Sequence, residues 1–164
     1  MSKLERKIQP SFRYDGFGFA VILIDVPMMQ FRGEWTPDIN FHKLADMVLE
    51  ALAHKPARLT GNEIRFIRHS WEMTTTQFAE RFSVTHPAVL KWERFADKAT
   101  SMDWATEKDI RLEILHRLGV KSAAFEQAYN SLVKASPSQP QIPLELGAML
   151  TVTGRRRSRA AARA

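Results

Sequence analysis

The stretch Met73-Thr74-Thr75-Thr76-Gln77-Phe78-Ala79-Glu80-Arg81-Phe82-Ser83-Val84-Thr85-His86-Pro87-Ala88-Val89-Leu90-Lys91-Trp92-Glu93 reads as two short helices joined by a tight turn. Thr74 followed three residues later by Gln77 is a capping-box pair, which opens the first helix. Its buried side is then Phe78, Ala79 and Phe82, and Ala79 is small where two crossing helices approach most closely. Val84 and Val89 are expected to hold the helices together beneath the turn. Trp92 is expected to anchor the second helix in a core with Phe66, Ile67 and Phe78. This is the layout of a helix-turn-helix, a unit that places its second helix in the major groove of duplex DNA.

With that side buried, the outer face of the second helix carries His86, Pro87, Leu90 and Lys91. Lys91 has the donor that guanine O6 and N7 accept, His86 suits a base edge or phosphate, and Pro87 and Leu90 suit a thymine methyl. Thr75 and Thr76, at the start of the first helix, are candidate phosphate contacts beside exposed backbone N–H groups, and Arg94 and Lys98 extend that set. The competing reading is structural, because consecutive amphipathic helices are common in all-α domains. The double cap, Ala79, the apolar turn and Trp92-Glu93 together favour the DNA-reading unit.

Outward from this stretch, Thr60-Gly61-Asn62-Glu63 is a second capping box, and Ile64, Ile67 and Trp71 follow on one face. Upstream, Phe41, Leu44, Ala45, Val48, Leu49 and Leu52 predict an amphipathic helix from about Asn40 to His54, ended by Pro56. Phe17 to Phe31 is rich in β-branched and aromatic residues and broken by Asp25 and Pro27, which predicts two strands with a bend. Residues 32–38 then read as a turn. Downstream, Thr106 and Asp109 precede a predicted helix carrying Ile110, Ile114, Leu115 and Leu118, stopped by Gly119. A further helix from about Ser122 to Val133 presents Phe125, Ala128, Tyr129 and Leu132, a stripe that serves either as core or as a dimer seam. Pro137, Pro140 and Pro143 mark a linker, and Gly154 to Ala164 contains only Gly, Arg, Ser and Ala, the composition of a disordered tail.

The reading is thus a mainly α chain with a small amino-terminal β element, an α+β fold. Residues 1–56 form a β-hairpin and helix module, residues 57–134 the helix-turn-helix domain with its following helices, and residues 135–164 a Pro-containing linker and basic tail.

The 164 residues contain no cysteine, so disulfides, thiolate zinc sites and thiol nucleophiles are excluded. No apolar run reaches the roughly 18 residues of a membrane span, and the start Met-Ser-Lys-Leu-Glu-Arg-Lys lacks a signal segment, so the expected location is the cytoplasm, on the nucleoid when DNA-bound. The formal net charge is +6, but Arg155, Arg156, Arg157, Arg159 and Arg163 supply most of it, leaving residues 1–153 near +1. DNA reading by so neutral a body depends on where a few groups sit. The tail reads in two ways, as an auxiliary arm in which Arg155, Arg156, Arg157 and Arg159 follow phosphates, or as a solvated end.

The stretch resembles the Cro/repressor (XRE) helix-turn-helix family. That family's usual run is Leu-Ser-Gln, Ala, Gly-Val-Ser and Trp-Glu-x-Gly, against Met73-Thr74-Thr75, Ala79, Ser83-Val84-Thr85 and Trp92-Glu93-Arg94-Phe95 here. The resemblance implies a five-helix-type DNA-binding domain, an operator read by a homodimer, and a structural ion pair between Arg68 and Glu93. Thr75 stands where a phosphate-contacting glutamine is common, and Phe95 replaces a turn glycine. From about residue 14 to 118 the chain is similar to MqsA-type antitoxins and related regulators, most specifically from Arg58 to Glu93. That similarity implies a toxin protein as partner and repression of the chain's own operon. The zinc ligands of the MqsA amino-terminal module are cysteines; Phe31-Arg32 precedes Gly33-Glu34 here, so no metal is implied.

Catalytic constellations do not assemble. His42, His54, His69, His86 and His116 never fall at close ligand spacing, and His42 with Asp46 reads as a solvent-facing pair. His69-Ser70 lacks a third partner, and Gly16-x-Gly18 lacks the rest of a phosphate loop. No enzyme activity, metal or cofactor is expected.

Overall fold

The computed structural model describes residues 4–148. The fold is mixed α+β, and the described residues form two compact units.

The first unit holds the sheet, made of β1 (Arg6–Tyr14), β2 (Val21–Phe31), β3 (Glu34–Pro37) and β4 (Leu144–Gly147). β2 is central. β1 runs antiparallel along one edge, while β3 antiparallel and β4 parallel share the other. The expected break inside Phe17–Phe31 is instead a kink within one strand. Asp25 adopts φ 52°, and the buried positions change parity around it, from Val21 and Leu23 to Val26 and Met28. Pairing nevertheless continues with unchanged offset, from Ser11 opposite Ile24 to Gln9 opposite Val26. Pro27 brings no N–H, but its carbonyl accepts from the Asp38 amide at 2.7 Å, so the strand survives it.

Two further segments differ from the sequence reading. Only Arg32 and Gly33 of residues 32–38 form the turn. Both have positive φ, 52° and 85°, as a type I′ hairpin requires, and Glu34–Pro37 is already β3. Leu144–Gly147, read as linker, pairs with Val21–Ile24, and the Ala148 amide donates to the Ile24 carbonyl at 2.9 Å. β1 escapes the pattern rules because most of its side chains are exposed.

The helices are α1 (Phe41–Ala53), α2 (Gly61–Ser70), α3 (Thr75–Arg81), α4 (His86–Glu93), α5 (Trp104–Arg117) and α6 (Ser122–Ser131). The second unit comprises residues 17–19 and 48–142. Its core contains Leu52, Leu59, Ile64, Ile67, Phe78, Val89, Ile110, Ile114 and Leu115, all essentially inaccessible. Each such side chain contributes about 1.5–3 kcal/mol of burial. Phe66 is closed over by the rings of Phe17 and Phe19, and Trp71 lies against Phe78 and Phe82.

α5 begins earlier than the apolar period indicates. Asp103 caps it by accepting from the Ala105 amide at 3.0 Å, and its first inward turn carries the buried Glu107 rather than an apolar residue. Charged Glu107 and Arg111 occupy core positions of the stripe completed by Ile110, Ile114 and Leu115. α6 stops at Ser131, short of Val133, because Leu132 turns to extended ψ.

Candidate nucleic-acid interface

α3 and α4 pack on one another, and α4 also packs on α2. Local chemistry sets where each helix begins. The Thr60 hydroxyl accepts from the Glu63 amide while Glu63 accepts from the Thr60 amide; Thr74 and Gln77 do the same for α3. Thr85 caps α4 by accepting from the Ala88 amide, and Pro87 sits in the first turn, where its missing N–H costs nothing.

The connection from α3 to α4, residues 82–85, turns on Ser83 at φ 54°, and the Val84 amide returns to the Ala79 carbonyl at 2.9 Å. Phe95 is not the left-handed residue after α4. Ala96 is, at φ 53°, and its carbonyl accepts from the Asn62 amide at 2.8 Å. The start of α2 and the end of α4 are thereby joined backbone to backbone, and the Thr60–Ala99 bridge adds to the seam.

α4 is divided sharply by burial. Val89, Trp92 and Glu93 are buried. Glu93 accepts from Arg68 Nε at 2.6 Å and Nη2 at 3.2 Å, and from the half-exposed Arg65 at 3.4 Å; Arg68 Nη1 also donates to the Met73 carbonyl at 2.9 Å. One guanidinium therefore ties the last turn of α4 to α2 and to the entrance of α3. On the opposite side His86, Pro87 and Lys91 are exposed and Leu90 is half-buried. At helical spacing, His86 with Leu90 and Pro87 with Lys91 lie one turn apart on a common face. Thr75 is half-buried in the first turn of α3 and Thr76 exposed, while Arg94 and Lys98 are exposed after α4. Arg155, Arg156, Arg157 and Arg159 lie outside the described residues.

The same unit holds a charged interior that the sequence reading missed. Lys55 Nζ lies 2.7 and 2.8 Å from the two Glu63 oxygens and also donates to the Arg58 carbonyl and to Gln141. Arg58 Nε donates to Glu107 at 2.5 Å, and the other Glu107 oxygen accepts from Arg111 and from the Leu59 amide. Arg111 closes the end of α1 by donating to the carbonyls of Leu52, Ala53 and Lys55, and reaches Ala57 as well. Burial pulls the Lys55 ammonium below its ordinary value, against the opposing charge of Glu63. The available signal was Glu107 with Arg111 one turn apart, on the face that Ile110 and Ile114 make apolar.

Arg81 of α3 is held to α5 by Glu113 at 2.7 Å, and Arg117 donates to the same carboxylate at 3.0 Å. Partial burial pushes Glu113 up, but hydrogen bonds and charge from these two arginines outweigh it and hold the group below its ordinary value. Among the described residues no three His, Asp or Glu side chains gather as a metal site, and no helix is long and apolar enough to cross a membrane. Comparison of the chain with protein-family models, curated proteins and solved structures finds no match.

Proposed function

We propose that the chain is a sequence-specific DNA-binding transcriptional regulator of the XRE helix-turn-helix type, with α4 entering the major groove. One observation carries this reading: α4 is clamped along Val89, Trp92 and Glu93 while His86, Pro87 and Lys91 remain exposed on its other side. A short helix held rigidly on one side and left polar and basic on the other is what base-edge recognition needs. His86, Pro87, Leu90 and Lys91 read bases; Thr75, Thr76, Arg94 and Lys98 contact phosphates. The protein acts as a homodimer on an operator with two half-sites, in the cytoplasm and without cofactor or catalysis, and represses its own operon. The test is a gel shift with the chain's own upstream DNA at physiological salt. Saturable binding that survives excess unrelated duplex is expected; equal affinity for both DNAs sinks the reading.

A second reading rests on the sheet unit, where Leu4, Ile8 and Phe31 are more than half exposed. It makes the chain an antitoxin or adaptor that grips a toxin or other protein partner through its amino-terminal module. Co-elution with the purified product of an adjacent toxin-like reading frame supports it. Separate elution of the two proteins counts against it.

A further inference from the structure

Within the second unit a cavity of about 300 Å³ opens beside the end of α1 and the chain leaving α6, and we infer that it binds a small oxyanion, a carboxylate or phosphate. Its ionisable lining is entirely basic: His54, Lys55, Arg111 and Lys134, with no Asp or Glu. Lys55 and Arg111 belong to the buried network in which three cations, counting Arg58, face only the two carboxylates Glu63 and Glu107. One positive charge is left over in a poorly solvated place. An anion in the adjoining cavity would offset it.

Lys55 and Arg111 supply field rather than hydrogen bonds, since their donors already serve Glu63, Glu107, Gln141 and backbone carbonyls. The donors for a ligand come from the segment after α6, which also lines the cavity. The backbone N–H groups of Val133, Lys134 and Ala135 have no hydrogen-bond partner among the described residues, and Ala135 is buried. Val133 and Lys134 are exposed, so of the three only Ala135 is buried. A buried amide is seldom left in that state, and an oxyanion is the acceptor that also answers the surrounding charge. The Lys134 ammonium is likewise without an acidic partner among the described residues. The volume suits a ligand at the small end of the range for small-molecule sites.

This inference stands apart from the DNA-binding proposal. It is tested by titrating the full chain, labelled with nitrogen-15, with inorganic phosphate and separately with acetate, using chloride to hold ionic strength constant. Saturable shifts at the Val133, Lys134 and Ala135 amides are expected with at least one of the two anions, and the anion that saturates identifies the class. Lys134→Ala, a change at an exposed side chain, should weaken that binding roughly tenfold without altering the rest of the spectrum. Shifts that grow linearly without saturating, or that are confined to the exposed faces of α3 and α4, overturn the site. So does unchanged affinity in Lys134→Ala.

Discussion

Gly61 lies so close to Trp92 that a Cβ on the glycine would fall 2.5 Å from the Trp92 carbonyl oxygen, and 2.8 Å from that of Glu93. The start of α2 and the end of α4 thus meet through backbone alone, which sets how far α4 sits from the rest of its unit. Gly61→Ala is expected to cost about 1–3 kcal/mol, toward the upper end because the atoms in the way are backbone and cannot rotate aside. Urea unfolding of the variant measures it, and a loss within error of zero would show that α4 shifts freely.

Arg68 and Glu93 are the second tie on α4. Arg68→Met leaves a buried carboxylate with only Arg65, at 3.4 Å, and should destabilise the chain by about 3–5 kcal/mol. The double variant Arg68→Met/Glu93→Leu should recover much of that loss, because no charge is then stranded. A denaturant double-mutant cycle checks both; a double variant as unstable as Arg68→Met alone would mean that shape, not charge, dominates here.

Ser83 holds φ 54° in the connection between α3 and α4, a conformation that disfavours a side chain by about 1–2 kcal/mol. Glycine relieves that cost and returns part of it as chain entropy, so Ser83→Gly should stabilise by roughly 0.5–1 kcal/mol. Ser83→Val should destabilise. Thermal melts that order the three proteins otherwise would contradict the turn geometry.

On the DNA-binding proposal, Lys91→Ala should lower operator affinity by about 1–3 kcal/mol and relax preference at a single base pair, with stability unchanged because the side chain is exposed. Deleting residues 155–164 should leave the preference alone and flatten the dependence of affinity on salt, as expected for an arm that follows phosphates. Anisotropy titrations over several salt concentrations separate the two effects, and an identical salt slope removes the arm.

Glu113 connects folding to acid. Its folded-state value lies below the ordinary 4.5 because Arg81 and Arg117 both bond it, so its contribution is present above that ordinary value and is lost as pH falls through the lower, folded one. Glu113→Gln should therefore be less stable than the parent near neutrality and show a shallower decline on the acid side. Stability measured between pH 2 and about 6 decides this; parallel curves would assign the acid limb to other groups.

What the sequence by itself determined is local. Thr60 with Glu63 and Thr74 with Gln77 satisfy each other's backbones within one turn, so their spacing alone marks the starts of α2 and α3. The apolar period of α1 was legible for the same reason. Only the tertiary structure decided that Leu144–Gly147 joins the sheet beside Val21–Ile24, because a short parallel strand is stabilised by a partner remote in sequence. It also decided that Glu107 and Arg111 of α5 turn inward, since they do so only once Arg58 and the carbonyls closing α1 are there to receive them. A charge reads as surface in a linear pattern. Whether it can be buried depends on groups brought together by folding, and that dependence hid the charged interior.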